Sequence, residues 1–227
     1  MLPRKLIMVG LTLLLLNVSF LSFRGYSQSS LSPINRKIDS LQNAGIDTIL
    51  RYPLFFAGRS QFKGSFHLMD ADYLIWRDKK GCFIQKFSSC LSEDGSRPFD
   101  TAFTPIYLEN DQAYVFFIEK LDTVKVQYLR PALVKQKWNG KDTIIEETPG
   151  YHSPRKGIEF LIGTKNFKNY YYDSQVWDGT IRNDDGSFRY KYETLNYDYN
   201  ISTAIVRLVK LLDLTVRRLE DNKAFGH

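Results

Sequence analysis

Histidine and cysteine are nearly missing from this chain, which has three of the first and two of the second among 227 residues. His67, His152 and His227 are therefore the only imidazoles available for proton transfer or metal ligation. Ready-made catalytic motifs are also lacking. There is no G-x-S-x-G nucleophile elbow; "GRSQF" at 58–62 carries its first half only. Neither a phosphate-binding G-x-x-x-x-G-K-[ST] loop nor a dinucleotide-binding G-x-G-x-x-G occurs. Solenoid or propeller repeats and low-complexity tracts are absent too.

The one long apolar run lies at the start. Arg4 and Lys5 precede Leu6–Phe23, and "RGYSQSS" follows. A charged start, an apolar middle and small residues at the exit are what a secretory signal requires. Gly25 and Ser27 sit two apart, so cleavage is expected after Ser27, with residues 28–227 as the mature chain. An uncleaved anchor is the competing reading, but the run is short for a span, which needs about 20 apolar residues. No later stretch is apolar enough to cross a bilayer, so the protein is expected to be exported: periplasmic or extracellular, at or near the envelope.

Removing Arg4, Lys5 and Arg24 leaves 28 Lys+Arg against 25 Asp+Glu, so the formal charge falls from +6 to +3. Such a balance gives no case for nucleic acid, which wants a concentrated basic patch. The remaining length suits a single domain, and an aromatic content of 15% favours sheet.

Along the chain, Ser32 as N-cap, Pro33 at the first position and Gly45 as stop frame a helix with Ile34, Ile38 and Leu41 on one face. Pro53 forbids a continuous helix through "DTILRYPLFF". From Gly64 the period changes to two. A hairpin turning at Asp78–Gly81 pairs Arg77 with Cys82 and Trp76 with Phe83, and puts Leu74, Trp76, Phe83 and Phe87 on one core face. Asn139-Gly140 predicts a second hairpin through a type I′ turn, and Asp184–Gly186 a third. Further strands are expected near Ala113–Ile118, Ile158–Gly163 and Tyr170–Asp173. From Ile201 a helix carries one polar stripe, Arg207, Lys210, Asp213, Arg217 and Asp221; the rest is apolar, so the helix must be largely covered. Tight turns between short strands argue antiparallel pairing. The expected fold is α+β: a mainly antiparallel sheet built from hairpins, with an N-terminal helix and a long C-terminal helix packed on it.

Outside the cytoplasm, two cysteines invite a Cys82–Cys90 disulfide. Strand geometry opposes it, because Cys82 to Phe87 as a strand already carries the chain about 17 Å while a bridge needs Cα atoms within roughly 7 Å. The two readings compete. Neither cysteine adjoins a helix start that would lower its thiol pKa, so a Cys–His nucleophile has no local support. Asp70 and Asp72 share a strand face while His67 points the other way, "NDDG" lacks the offsets of a calcium loop, and Glu146 and Glu147 oppose each other on a strand. No metal and no cofactor is expected.

The most suggestive stretch is "NYYYDSQVWDG". Tyr170, Tyr171, Tyr172 and Trp177 with Asp178 combine aromatic faces and short acids, the surface a sugar ring stacks on, although alternating tyrosines also line half-buried sheets. The expectation is an envelope or periplasmic module that binds a glycan or an envelope protein. The alternative is a small secreted hydrolase whose site assembles only in three dimensions.

Overall fold

A computed structural model describes residues 32–62, 65–92, 99–147 and 155–226, and within them the backbone alone for 55–62, 65–69, 90–92, 99 and 147. The signal and its cleavage site lie outside the described residues. The chain begins with α1 (Pro33–Asn43), where Ser32 and Pro33 stand as expected and Gly45 supplies the left-handed turn at φ +80. Three long strands and a short one follow: β1 (Thr48–Phe62), β2 (Ser65–Asp78), β3 (Gly81–Ser92) and β4 (Phe99–Ala102). The short β5 (Ile106–Tyr107) also pairs with β3, while β8 (Arg155–Ile162) and β9 (Lys165–Tyr172) extend the other side. The resulting main sheet has the order β4-β3-β2-β1-β8-β9, antiparallel throughout.

The β2–β3 register is the one the alternation demands: Trp76 faces Phe83, and Arg77 faces Cys82. Pro53 is accommodated because β1 pairs with β8 only from Thr48 to Arg51. Beyond that point Pro53 has a single sheet neighbour, so its missing N–H interrupts no second ladder.

Each face of the sheet has its own cover. On one, Ile34 and Leu41 of α1 meet Ile49, Leu74, Trp76 and Phe87, the face read from the alternation. On the other, Leu50, Tyr52, Tyr73, Ile75, Ile84 and Phe160 are buried under helices. These are α2 (Gln112–Glu119), α3 (Leu121–Val126) and the long α5 (Ala204–Asp221).

Three expectations need correction. Ala113–Ile118, read as a strand, is the helix α2. Its "AYVFFI" is apolar throughout, and a short apolar run does not distinguish the two periods; Asn110 Oδ1 accepts from Gln112 N at 3.1 Å, and Ala113, Tyr114 and Phe117 form the buried stripe. The long C-terminal helix starts at Ala204 rather than Ile201. A short α4 (Tyr197–Ser202) ends at Thr203, whose ψ of 148 is extended. The buried Asn200 side chain causes the break, bonding the Arg130 N–H and the carbonyls of Arg130 and Gln175. Asp213 does not stand on a wet stripe but accepts from the Tyr52 hydroxyl at 2.5 Å.

Two small sheets complete the chain. β6 (Ala132–Trp138) and β7 (Lys141–Glu147) form the hairpin through Asn139-Gly140, with φ of 50 and 75. β10 (Thr180–Arg182) pairs with β11 (Phe188–Lys191), and β12 (Glu193–Thr194) adds to β6.

One close approach constrains β8. A Cβ on Gly157 would lie 2.2 Å from the Asn169 carbonyl oxygen and 2.7 Å from Tyr170 Cα, both backbone atoms that cannot rotate away. Gly157→Ala is expected to lower stability by about 1–3 kcal/mol through strain in the β8–β9 pair; an unchanged urea midpoint would contradict this.

Candidate functional site

Strand alternation settles the fate of the tyrosine run. Successive residues on β9 face opposite sides of the sheet. Tyr171 is buried at 3% exposure among the residues facing α5, whereas the Tyr170 hydroxyl bonds Glu159 on the opposite side. Tyr172 leads into a 3₁₀ turn, Asp173–Val176, and its N–H donates to Gln175 Oε1. Trp177 donates Nε1–H to the Thr180 carbonyl at 3.0 Å. Asp178 accepts from the N–H and hydroxyl of Thr180, which hold its carboxyl below its ordinary pKa. Trp177 and Asp178 thus build a turn, and the five residues do not converge on one shelf.

The cysteines lie on one uninterrupted strand, eight residues apart on β3. At about 3.3 Å per residue their Cα atoms are some 26 Å apart, so the Cys82–Cys90 bridge considered above is not formed within the molecule. Cys82 is a free, buried thiol; burial, with Asp111 adding to it, pushes its pKa up to about 11. That is the direction of an inert thiol. The side chains of His67, His152, His227 and Cys90 lie outside the described residues, and so does any Cys–His pairing through them.

A cleft lies elsewhere, on the face covered by α1. The start of α1 with its N-cap, Ser32–Asn35, walls this cleft of about 270 Å³. Sheet register places the lining. Pro53, Asp72 and Phe87 stand in one cross-strand row, and Asp70, Ser89 and Asp100 in the next. Strands lie about 4.8 Å apart, so Asp70 and Asp100 are about 10 Å apart at Cα with Ser89 between them.

Arg51 forms the floor. It holds Asp72 through two parallel bonds, Nε to Oδ1 and Nη2 to Oδ2, each 2.9 Å, and reaches Glu159 through Nη1 at 3.0 Å. Glu159 also accepts from Lys168 at 3.0 Å and from Tyr170. The Arg155 guanidinium lies 4.2 Å over the Tyr170 ring. Burial works against charge on Arg51, yet Asp72 and Glu159 outweigh it and raise its pKa. Burial likewise opposes ionisation of Glu159, but Tyr170, Lys168 and Arg51 hold its pKa below the ordinary carboxylate value. Burial first, then the hydrogen bond to Glu159 and its charge, raise that of Tyr170. The network is thus a fixed ion-pair lattice, with Arg51 and Glu159 charged and Tyr170 protonated at neutral pH.

Chemically, the cleft presents carboxylates on one row, a clamped guanidinium at its base, and the Phe87 ring and Pro53 as apolar wall. Of the five residues expected to bind ligand, Tyr170 alone joins this network, through Glu159 and behind the lining. The lining itself was not foreseen as a site, although Asp70 and Asp72 were correctly read as sharing a strand face. Among the described residues no cluster of three His, Cys, Asp or Glu is arranged to hold a metal ion, and no helix is long and apolar enough to cross a membrane. Comparison with protein families, with curated proteins and with solved structures finds no match to this chain.

Proposed function

We propose that the protein is an exported, non-enzymatic binding module whose ligand site is the cleft at Arg51, and that its ligand is a small polyhydroxylated group such as a terminal sugar of a glycan. One observation carries this reading: Asp70, Ser89 and Asp100 align across three strands above a guanidinium already fixed by Asp72 and Glu159. Aligned acceptors and a hydroxyl suit the hydroxyls of a sugar. The volume of about 270 Å³ lies at the lower end of small-molecule sites. A clamped, charged Arg51–Glu159 lattice supports recognition, because its groups are ordered before the ligand arrives.

The same row favours a second reading, the secreted hydrolase. Two carboxylates facing each other across a gap are the equipment of glycoside hydrolysis. A general acid, however, must be desolvated to keep its proton at neutral pH, and Asp100 is exposed.

One experiment separates the readings. The exported protein is applied to a glycan array, and the best hit is titrated by calorimetry against wild type, Asp70→Asn and Asp100→Asn. A module should bind without consuming the glycan and lose about tenfold in affinity per lost charged hydrogen bond. Product release by wild type that stops in both variants would establish the hydrolase. An array without hits would remove the glycan ligand.

A further inference from the structure

We propose that the tip of the β6–β7 hairpin is a membrane-surface contact that seats Trp138 in the interface of a bilayer bearing anionic lipid headgroups. This site is separate from the cleft and independent of its ligand. Trp138 is 70% exposed, and among the described residues no second ring packs on it. It pairs with Lys141 directly across the Asn139-Gly140 turn, so it stands at the outermost rung of the hairpin. Lys137 and Lys141 beside it are exposed. The nearest acid, Asp142, is drawn to Lys135 at 3.2 Å.

A second exposed aromatic lies on the segment that leads into the same small sheet. Glu193 pairs with Lys135 and Thr194 with Val134, so the antiparallel chain comes to β12 from the Trp138 side. The strand before it, β11, carries Phe188, 62% exposed, with Arg189 next to it. The other acids here are partly engaged: Glu193 shares Lys135 at 3.5 Å, and Asp185 closes its own turn on Ser187 at 2.6 Å.

The chemistry of the tip selects its partner. Tryptophan has an apolar body with one polar N–H, which suits the headgroup boundary of a bilayer. Lysine stems lie along apolar surface while their ammonium groups reach outward to phosphate. A stable protein interface needs about 800 Å² from each side, whereas one aromatic anchor brings roughly 150–250 Å². A bilayer deforms around a narrow tip, so this area suffices for reversible surface binding.

Co-sedimentation of the exported protein with vesicles is the test. Vesicles of phosphatidylcholine alone are compared with an equal mixture of phosphatidylcholine and phosphatidylglycerol. Wild type should sediment with the mixed vesicles and much less with the neutral ones. Trp138→Ala should lower partitioning about tenfold, as loss of a buried ring implies, while Trp138→Phe keeps most of it. Lys137→Gln and Lys141→Gln should each cost about fivefold on the mixed vesicles alone. An unchanged thermal midpoint for Trp138→Ala certifies its fold. Equal binding to both vesicle types, no binding to either, or wild-type binding by folded Trp138→Ala would each overturn the proposal.

Discussion

A chain ended at Thr203 should not fold. Removing α5 strips the cover from Tyr52, Tyr73, Ile75 and Phe160, and deletes Ile205, Val206, Leu208, Val209 and Leu212, all of them 0% exposed. At about 1.5–3 kcal/mol per buried aliphatic side chain, those five alone represent roughly 8–15 kcal/mol. The entire stability of a domain this size is about 5–15 kcal/mol. The helix also carries the acceptors of two buried phenols: Tyr52 donates to Asp213 at 2.5 Å and Tyr73 to Glu220 at 2.6 Å. Glu220 is in turn held by Lys86 at 2.8 Å, beneath the rings of Phe103 and Phe225. Truncation would leave both hydroxyls without these partners and a wide apolar face in water, so the expected product is insoluble. Leu212→Ala grades the same claim, at about 2–5 kcal/mol by chemical denaturation. A soluble truncation with native near-UV circular dichroism would show that α5 is an appendage.

The elements written by local chemistry were legible in the sequence. Asn139-Gly140 takes the two positive φ values a type I′ turn demands, and Trp76 opposite Phe83 follows from period-two alternation alone. What could not be read depends on partners distant in the chain. Asp213 and Glu220 look like solvated charges on an amphipathic helix until Tyr52 and Tyr73 are placed under them. Thr203 looks helical until Asn200 is bound to the Arg130 and Gln175 backbone. Ala113–Ile118 is apolar on every side, so no period could be assigned. The cleft is the extreme case: Arg51, Asp72, Asp100 and Glu159 come from β1, β2, β4 and β8, and none sits in a motif. The only signal was a charged residue at alternate strand positions, Asp70 and Asp72, on the same side as the apolar Leu74 and Trp76. The tyrosine run is divided between two faces for the converse reason. Its composition was right for a binding shelf, but adjacent strand residues face opposite sides of a sheet.

Alkali should unfold the protein cooperatively, beginning just above the ordinary phenol pKa. Burial is the main cause that raises the pKa of Tyr52, Tyr73, Tyr114 and Tyr171. The charges of Asp213 and Glu220 add to it at Tyr52 and Tyr73, and Tyr114 is pushed up to about 12. All four are at most 5% exposed. In the unfolded chain the same phenols titrate at about pH 10. A folded pKa above the unfolded one means that the fold prefers the protonated hydroxyl. The stabilisation is therefore complete below pH 10 and is lost as pH rises towards the folded values. Each group removes about 1.4 kcal/mol per pH unit over that window, so four remove on the order of 5 kcal/mol by pH 11. That is comparable with the stability available. A steep rise in phenolate absorbance from these four groups should coincide with loss of circular dichroism. Tyr171→Phe isolates the cause, since it removes one ionising group while keeping the ring. The slope of unfolding free energy against pH should fall by about 1.4 kcal/mol per unit in that variant. If these four phenols titrated smoothly near pH 10 with the fold intact, the tyrosines under α5 would have to be open to water, and the sealing role of that helix would fall with them.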